Sequence, residues 1–509
     1  MRVKNAFRNS FFSVISQIIL IVVGFFSQRV LNLRLGEELV GMNSVISNII
    51  ALLSVTELGI SVAVVFHLYR AIAAEDEEQI AALMNLYRKA YSIFAIVIGV
   101  LGLAVMPFVH RFLRENSFTL EYVRTIYGLW LLRTIGSYLL SYKRSVLIAD
   151  QKEFIVSIGT LTANVLNYSL IIVIVELFQN YVLALSFNII VEFCINIWIA
   201  WYVDRKYPFL KRLRKAPLDR GIVNKVLQDI KNIFVSRLST KLLVCTDSLI
   251  MSSFISVGIV GLYSNYTMIT QALINIVVAF SNALQPTVGN MFIEGDHDKE
   301  YGVLRQVSFL FFVFASFSAA SLLALMTPFV TDIWLNDEYA LGLNIILWCV
   351  INFYMSTMGA PLNMMMGVTG LFHKERNLSI VVAVVNIVLS LGLVVPLGIP
   401  GVLLGTFVSY FIQLIYRIIV LLHKYMKKSC QRYVLDLLQY VFLTIAEVAI
   451  VYVCRQYIYS GSLLSFVIMM CICVLVPNGI NLLVFGRSWR FQSILGMIKG
   501  LLWGKEKQA

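Results

Sequence analysis

Charge is what this sequence has least of. Only 14% of its 509 residues are Asp, Glu, Lys or Arg, against 59% hydrophobic residues, and the mean hydropathy is +0.82. A soluble chain of this length needs far more polar surface, so the water-soluble classes are excluded. The long apolar runs lack dyad alternation, which excludes a β-barrel and leaves helices as the spanning elements. The five histidines fall at span ends or in loops without ligand spacing, so no metal centre is expected. The seven cysteines include no CxxC pair and read as small apolar packing residues. Nothing calls for a cofactor. No small-x-small cleavage site follows the basic start MRVKNAFRNS, and the apolar run Phe11 to Phe26 is too long for a signal-peptide core. It reads as an uncleaved first span. Large outward loops are missing too. The longest, HRFLRENSFTLEYVR, leaves no room for an external catalytic domain, and the chain is not read as an enzyme.

What is present is an all-α polytopic membrane protein with about 14 transmembrane helices. The spans are expected near 10–32, 39–67, 90–112, 121–147, 153–176, 180–203, 231–256, 260–289, 304–332, 340–370, 377–397, 400–423, 433–457 and 462–485. With the N-terminus placed in the cytoplasm, most of the 41 basic residues fall on the inner side, a strong positive-inside signal. The densest cluster is DRKYPFLKRLRKAPLDRGIVNK, after span six. The net charge of +13 therefore reports orientation, not nucleic-acid binding. The end of the chain, GRSWRFQSILGMIKGLLWGK, has the pattern of an amphipathic helix on the cytoplasmic face.

The sequence also repeats itself at an offset near 221 residues. KNIFVSRLST (231–240) echoes RNSFFSVISQ (8–17), and VGIVGLYSN (257–265) echoes GEELVGMNS (36–44). MTPFVTDIWL (326–335) echoes MPFVHRFL (106–113), and HKERNLSIVVAVVN (373–386) echoes QKEFIVSIGTLTAN (151–164). The repeat holds an even number of spans, so its halves share one membrane orientation, a known design of secondary transporters. The expected organisation is a six-helix lobe at 1–203, a basic linker at 204–230, and a second six-helix lobe at 231–425. Spans 13 and 14 follow at 426–486, then a tail at 487–509.

Packing should be shared between halves, whereas chemistry need not be. Arg237 and Lys241, in RLSTKLLVCTD, align with Val14 and Ile18 and so have no charged counterparts. Four residues apart, they share one helical face. At 1.5 Å per residue from position 231, Arg237 lies ~9 Å and Lys241 ~15 Å into the span. Asp247 points to another side of the same helix. Span two carries Asn43, Ser47, Ser54, Glu57 and Ser61 within one arc. Arg133, Glu192 and Glu447 lie mid-span, and Glu192 is flanked at helical spacing by Asn188 and Asn196. Ionisable groups at such depth mark a pathway or cavity. The candidate substrate-binding residues are Arg237, Lys241, Arg133, Asp247, Glu57, Glu192 and Asn43, lining a hydrated, net-basic cavity suited to a polar anion.

These features together resemble one known family. LGEELVGMNSVISNIIALLSVTELGIS, a Lys-Glu after the fourth span of each half, and a span-seven Asp before VGLYSN-like sequence are its marks. They are similar to the polysaccharide-flippase branch of the multidrug/oligosaccharidyl-lipid/polysaccharide exporter superfamily. The resemblance covers about residues 1–425, and spans 13 and 14 match its longer members. It implies two six-helix lobes around a V-shaped cavity that opens alternately inward and outward. The implied activity moves undecaprenyl-pyrophosphate-linked oligosaccharide units from the inner to the outer leaflet of a bacterial cell membrane. Asp247 matches the family's span-seven acid. Arg237 and Lys241 are cavity candidates by position only. The implied partners are that glycan lipid, the bilayer, a proton or sodium counter-ion and a glycan polymerase.

Lipid II flippases of the same superfamily carry an Arg-Asp pair late in span one, and FFSQRVLNLRLG has none. An ion-coupled drug antiporter would call for an acidic cavity. A membrane glycan polymerase or ligase would call for a large external loop, and a passive scaffold would leave the buried charges without a role.

Overall fold

The computed structural model describes residues 2–54, 60–213, 238–239, 241–292 and 296–492. Helix dominates the described residues. In order these are α1 (Arg2–Leu53), α2 (Ile60–Ala73), α3 (Glu77–Val105), α4 (Leu120–Ser141), α5 (Arg144–Ala149), α6 (Glu153–Phe178), α7 (Tyr181–Lys206) and the short α8 (Phe209–Arg212). There follow α9 (241–254), α10 (Val257–Phe292), α11 (His297–Pro328), α12 (Leu343–Val368), α13 (Phe372–Leu397), α14 (Ile399–Ile418), α15 (Cys430–Ile458) and α16 (Leu463–Phe485).

Eleven of the helices are long and apolar enough to cross a membrane. They cover spans 1, 3, 5, 6 and 8–14 of the sequence reading. Span four is α4, whose apolar run is diluted by Arg124 and Arg133. Span two is divided between the second arm of α1 and α2, and span seven contains α9. The fold is thus an all-α polytopic membrane protein. Large apolar side chains point outward along it: Leu177, Val395 and Leu483 are 70%, 77% and 87% exposed. Such a surface suits lipid, not water.

Local chemistry sets the helix ends. Asp76, Thr119, Asn180 and Asp296 cap α3, α4, α7 and α11 by accepting backbone N–H groups of the first turn, which satisfies donors that the helix cannot. Backbone hydrogen bonds at the Asp296 carboxylate hold it below the usual Asp range. Gly36 breaks α1 with φ 81° and ψ 167°, a conformation open in practice only to glycine. Spans one and two therefore meet end to end at Gly36 without a loop.

The chain divides into two compact units, Met1–Ser264 and Asn265–Ala509. The boundary places α9 with the first unit. In that unit α1 packs along α6, α6 along α7, and α4 between α3 and α7. Gly41 and Gly261 form its tightest helix crossing. A Cβ on Gly41 would stand 2.0 Å from the Val257 carbonyl oxygen, and one on Gly261 would stand 1.9 Å from that of Glu37. In the second unit α11 is the central helix, buried along most of its length and packed against α12, α15 and α16. The hairpin α13–α14 turns at Gly398 (φ 64°) and packs on α12. Residues 214–230 of the expected basic linker and 493–509 of the expected amphipathic tail lie outside the described residues.

Candidate functional site

The first unit holds a polar chain that crosses three helices. Asn43, on the second arm of α1, accepts hydrogen bonds at Oδ1 from Trp130 Nε1 and from the Tyr181 hydroxyl, each at 2.8 Å. Trp130 lies on α4, three residues before Arg133, so the two side chains share a face. The Arg133 guanidinium stands 5.1 Å from the centre of the Trp130 ring, within cation–π range. Its Nε donates to Glu192 of α7. About a quarter of each partner's side chain is exposed.

Helical spacing explains this convergence. On α7, Tyr181, Asn188, Glu192 and Asn196 recur at intervals of seven, four and four residues and form one stripe. Tyr181, Asn188 and Asn196 are each 3% exposed. Arg144 on α5 extends the stripe by donating from Nη2 to Asn196 Oδ1 at 2.5 Å. The cluster contains two guanidinium groups and one carboxylate, a net charge of +1 (two positive, one negative). Ser47 and Ser54 face their own helix, donating to the carbonyls of Ser44 and Ile50 at 2.9 and 2.8 Å.

Sequence reasoning took Asn43, Arg133 and Glu192 as three separate candidates, and the fold joins them in one network. Arg133 is consequently neutralised by Glu192. An unpaired guanidinium among apolar helices costs several kcal/mol, roughly, and the carboxylate offsets that cost. The second cation of the site is Arg144, which sequence reasoning passed over because it ends span four. Trp130 and Tyr181 were also missed, although Trp130 stands one helical turn from Arg133.

Lys241 and Asp247 lie on α9, both half-buried, on either side of the buried Cys245. Neither takes part in the Asn43–Glu192 network. Among the described residues no carboxylate forms an ion pair with Lys241. The far end of α9 is held by the loop after α3: Arg114 N–H donates to Ser252 O at 3.3 Å, and Val257 N–H donates to Arg114 O at 3.0 Å. Arg237 and Glu57 lie outside the described residues.

The second unit has its own buried charges, absent from the sequence-based candidates because they sit near span ends. Asp436 on α15 accepts from Arg305 Nε of α11 at 2.7 Å and from Arg490 Nη2 at 2.5 Å. Arg305 also lies 5.6 Å from the centre of the Trp489 ring. Glu375 on α13 pairs with Arg417 Nε of α14 at 2.5 Å. These contacts tie helices to one another and form no open site.

A bundle of apolar helices with a cationic, aromatic polar stripe is similar in fold to several solved membrane proteins. An inward-closed structure of the lipid II flippase MurJ aligns over 93% of this chain and 98% of its own, with 14% identity and a TM-score of 0.68. An inward-facing multidrug resistance MATE family transporter of the MOP superfamily aligns over 78% of this chain and 93% of its own, at 14% identity and TM-score 0.66. A MOP superfamily transporter from Pyrococcus furiosus, noted for the reverse polarity of its binding pocket, aligns over 81% and 96%, at 13% identity and TM-score 0.53. The class is therefore the fold of the MOP-superfamily transporters. Within it, residues 2–292 match the model of the polysaccharide biosynthesis proteins. That is more than half of the chain, and the chain belongs to this family. A search of curated proteins finds no match.

Proposed function

We propose that this protein is a flippase that carries undecaprenyl-pyrophosphate-linked oligosaccharide units from the inner to the outer leaflet of a bacterial cell membrane, by alternating access. The observation that carries the reading is the Asn43–Trp130–Arg133–Glu192 chain, set in a membrane bundle of the polysaccharide biosynthesis family. Flat aromatic faces and fixed amide and hydroxyl groups suit sugar rings. Lys241 and Arg237 replace the water around the pyrophosphate, and the net +1 stripe of Arg133, Glu192 and Arg144 extends the positive field. The lipid tail stays in the bilayer beside the bundle. The distribution of basic residues supports a cytoplasmic position for both termini.

A driving force is available. One elementary charge moved through 100 mV gains about 2.3 kcal/mol, so a dianion leaving a negative interior gains about 4–5 kcal/mol. Glu57, Asp247 and Glu192 are the carboxylates in this unit that could return a proton or sodium ion. The step involves no covalent chemistry, and a separate polymerase completes the glycan.

The test is the leaflet location of lipid-linked oligosaccharide in cells depleted of the protein. Accumulation facing the cytoplasm, with loss of surface glycan, supports the reading, and the attached sugars then name the cargo. Delivery of the intermediate to the outer leaflet without polymerisation would show a polymerase-step protein instead. Accumulation of the peptidoglycan precursor would move the chain to the lipid II branch.

A further inference from the structure

We infer that Glu447 is a proton-binding site inside the bundle of α11, α12, α15 and α16, and that the conformation described here holds its proton. This inference does not depend on the cargo.

Glu447 lies in the middle of α15 and is 0% exposed. Among the described residues, neither of its carboxylate oxygens has a hydrogen-bond partner. An ionised carboxylate left in this state, desolvated and without a donor, is strongly disfavoured relative to its neutral acid. A protonated carboxyl is neutral and supplies one donor.

Three other helices place polar groups near it. Ser316 of α11 reaches toward the carboxylate, but its hydroxyl points at Val313 O (3.3 Å) and accepts from Asn481 Nδ2 of α16 (3.1 Å). Asn481 Oδ1 and the Tyr354 hydroxyl of α12 are both buried without a partner, and Tyr354 lies close enough to feel the Glu447 charge. Thr444, one turn before Glu447, donates to Tyr440 O at 2.8 Å. Two helices, α12 and α16, thus present unsatisfied oxygens near one acid.

Among the described residues no cation pairs with it. On α11 the charged group nearest in sequence to Ser316 is Arg305, eleven residues away, with His297, Asp298, Lys299 and Glu300 further off at the start of the helix. Arg305 and Arg490 are both held by Asp436, eleven residues before Glu447. The Tyr440 hydroxyl accepts from Arg490. α16 contributes the buried Cys473, and α15 itself Cys454 two turns further on. The turn after α14, which touches the start of α15, carries His423 and Lys424.

Loss of the proton needs water at Glu447, and that requires α15 and α16 to part from α11 and α12. Proton occupancy therefore selects between a closed and an opened packing of these helices. The reaction is carboxylate plus proton giving carboxylic acid, with no other reactant.

The experiment is infrared difference spectroscopy of the full chain in lipid nanodiscs across a pH change, with isotope-labelled glutamate. The wild type should show a protonated-carboxyl band at neutral pH that is lost reversibly on alkalinisation. The band should be absent in Glu447→Gln and displaced in both Glu447→Asp and Tyr354→Phe. A spectrum unchanged by Glu447→Gln would overturn the assignment. So would an acid band that persists at every pH, which describes a static buried acid, or a midpoint that falls with added sodium, which describes a cation site. Labelled wild-type protein gives the titration even where a variant fails to fold. The readout is the carboxyl itself, so its failure is separable from failure of the flippase reading.

Discussion

Gly41 and Gly261 rest against each other's helix in a reciprocal contact. Each faces the carbonyl four residues before the other, Gly41 facing Val257 and Gly261 facing Glu37. The two glycines also correspond in the internal repeat, at an offset of 220 (261 minus 41). VG-x-x-S occurs in both halves, as VGMNS and VGLYS, so one short pattern builds both sides of the crossing.

Gly41→Ala and Gly261→Ala should each lower stability by at least the ~1–3 kcal/mol of an overpacked core. The obstructing atoms are backbone, which cannot swing aside. Gly302, inside α11, is the control: nothing lies within 4 Å of its Cβ position. Gly302→Ala should be neutral or stabilising by about 0.5–1 kcal/mol. Thermal unfolding in detergent, followed by size-exclusion chromatography, separates the cases. Equal midpoints for all three variants would refute the crossing.

Arg133 and Glu192 are joined across α4 and α7. Removing either leaves a charge that is about three-quarters sheltered. Arg133→Ala and Glu192→Ala should each cost roughly 1–3 kcal/mol, below the ~3–5 kcal/mol of a fully buried pair because a quarter of each side chain is exposed. The exchanged pair R133E/E192R should recover most of this stability. Export of surface glycan should stay impaired in the exchange, because the cation then no longer lies over Trp130. Full export in the exchanged protein would remove Arg133 from the transport path.

Much of this was legible in the sequence. Long apolar runs fixed the span count, and the repeat marked where halves differ, because hydropathy and local pattern report span by span. Gly36 could be read as a boundary, but not as a turn with no loop. Pairing was not legible. Arg133 and Glu192 are 59 residues apart, and nothing in either segment says which faces meet. Arg305, Asp436 and Arg490 escaped notice for a related reason. Charges near span ends read as solvated until packing shows Arg305 and Arg490 to be 6% and 8% exposed.

Asn43 holds two donors with one oxygen. Asn43→Leu should strand the Trp130 indole N–H and the Tyr181 hydroxyl, at roughly 1–3 kcal/mol for each buried donor left unmade. Asn43→Asp keeps an acceptor at the same place and should lose less. Trp130 also lies under Arg133, so its fluorescence should change in Asn43→Leu. No change in fluorescence or melting would count against the network.

Asp436 holds Arg305 and Arg490, and all three side chains are close to nine-tenths buried or more. Asp436→Asn should destabilise the second unit by about 3–5 kcal/mol, because two guanidinium groups lose their counter-charge. The Asp298–Lys428 pair is a surface comparison, with Asp298 84% exposed. Asp298→Asn should cost no more than about 1 kcal/mol. Unfolding midpoints at low and high salt distinguish them, since added salt should affect only the exposed pair.

Lys241 tests function apart from stability. It is half-buried on α9, and among the described residues no carboxylate pairs with its ammonium. Losing it should therefore cost the fold little. Lys241→Ala should leave insertion and abundance near the wild-type level while surface glycan falls several-fold. Lys241→Arg should restore part of the export, because a cation is kept at the same depth with a different shape. Quantifying surface glycan against membrane-protein level in each strain gives the answer. Unchanged export in Lys241→Ala would take this residue out of the mechanism and leave Arg237 and Arg144 as the cations proposed to meet the pyrophosphate.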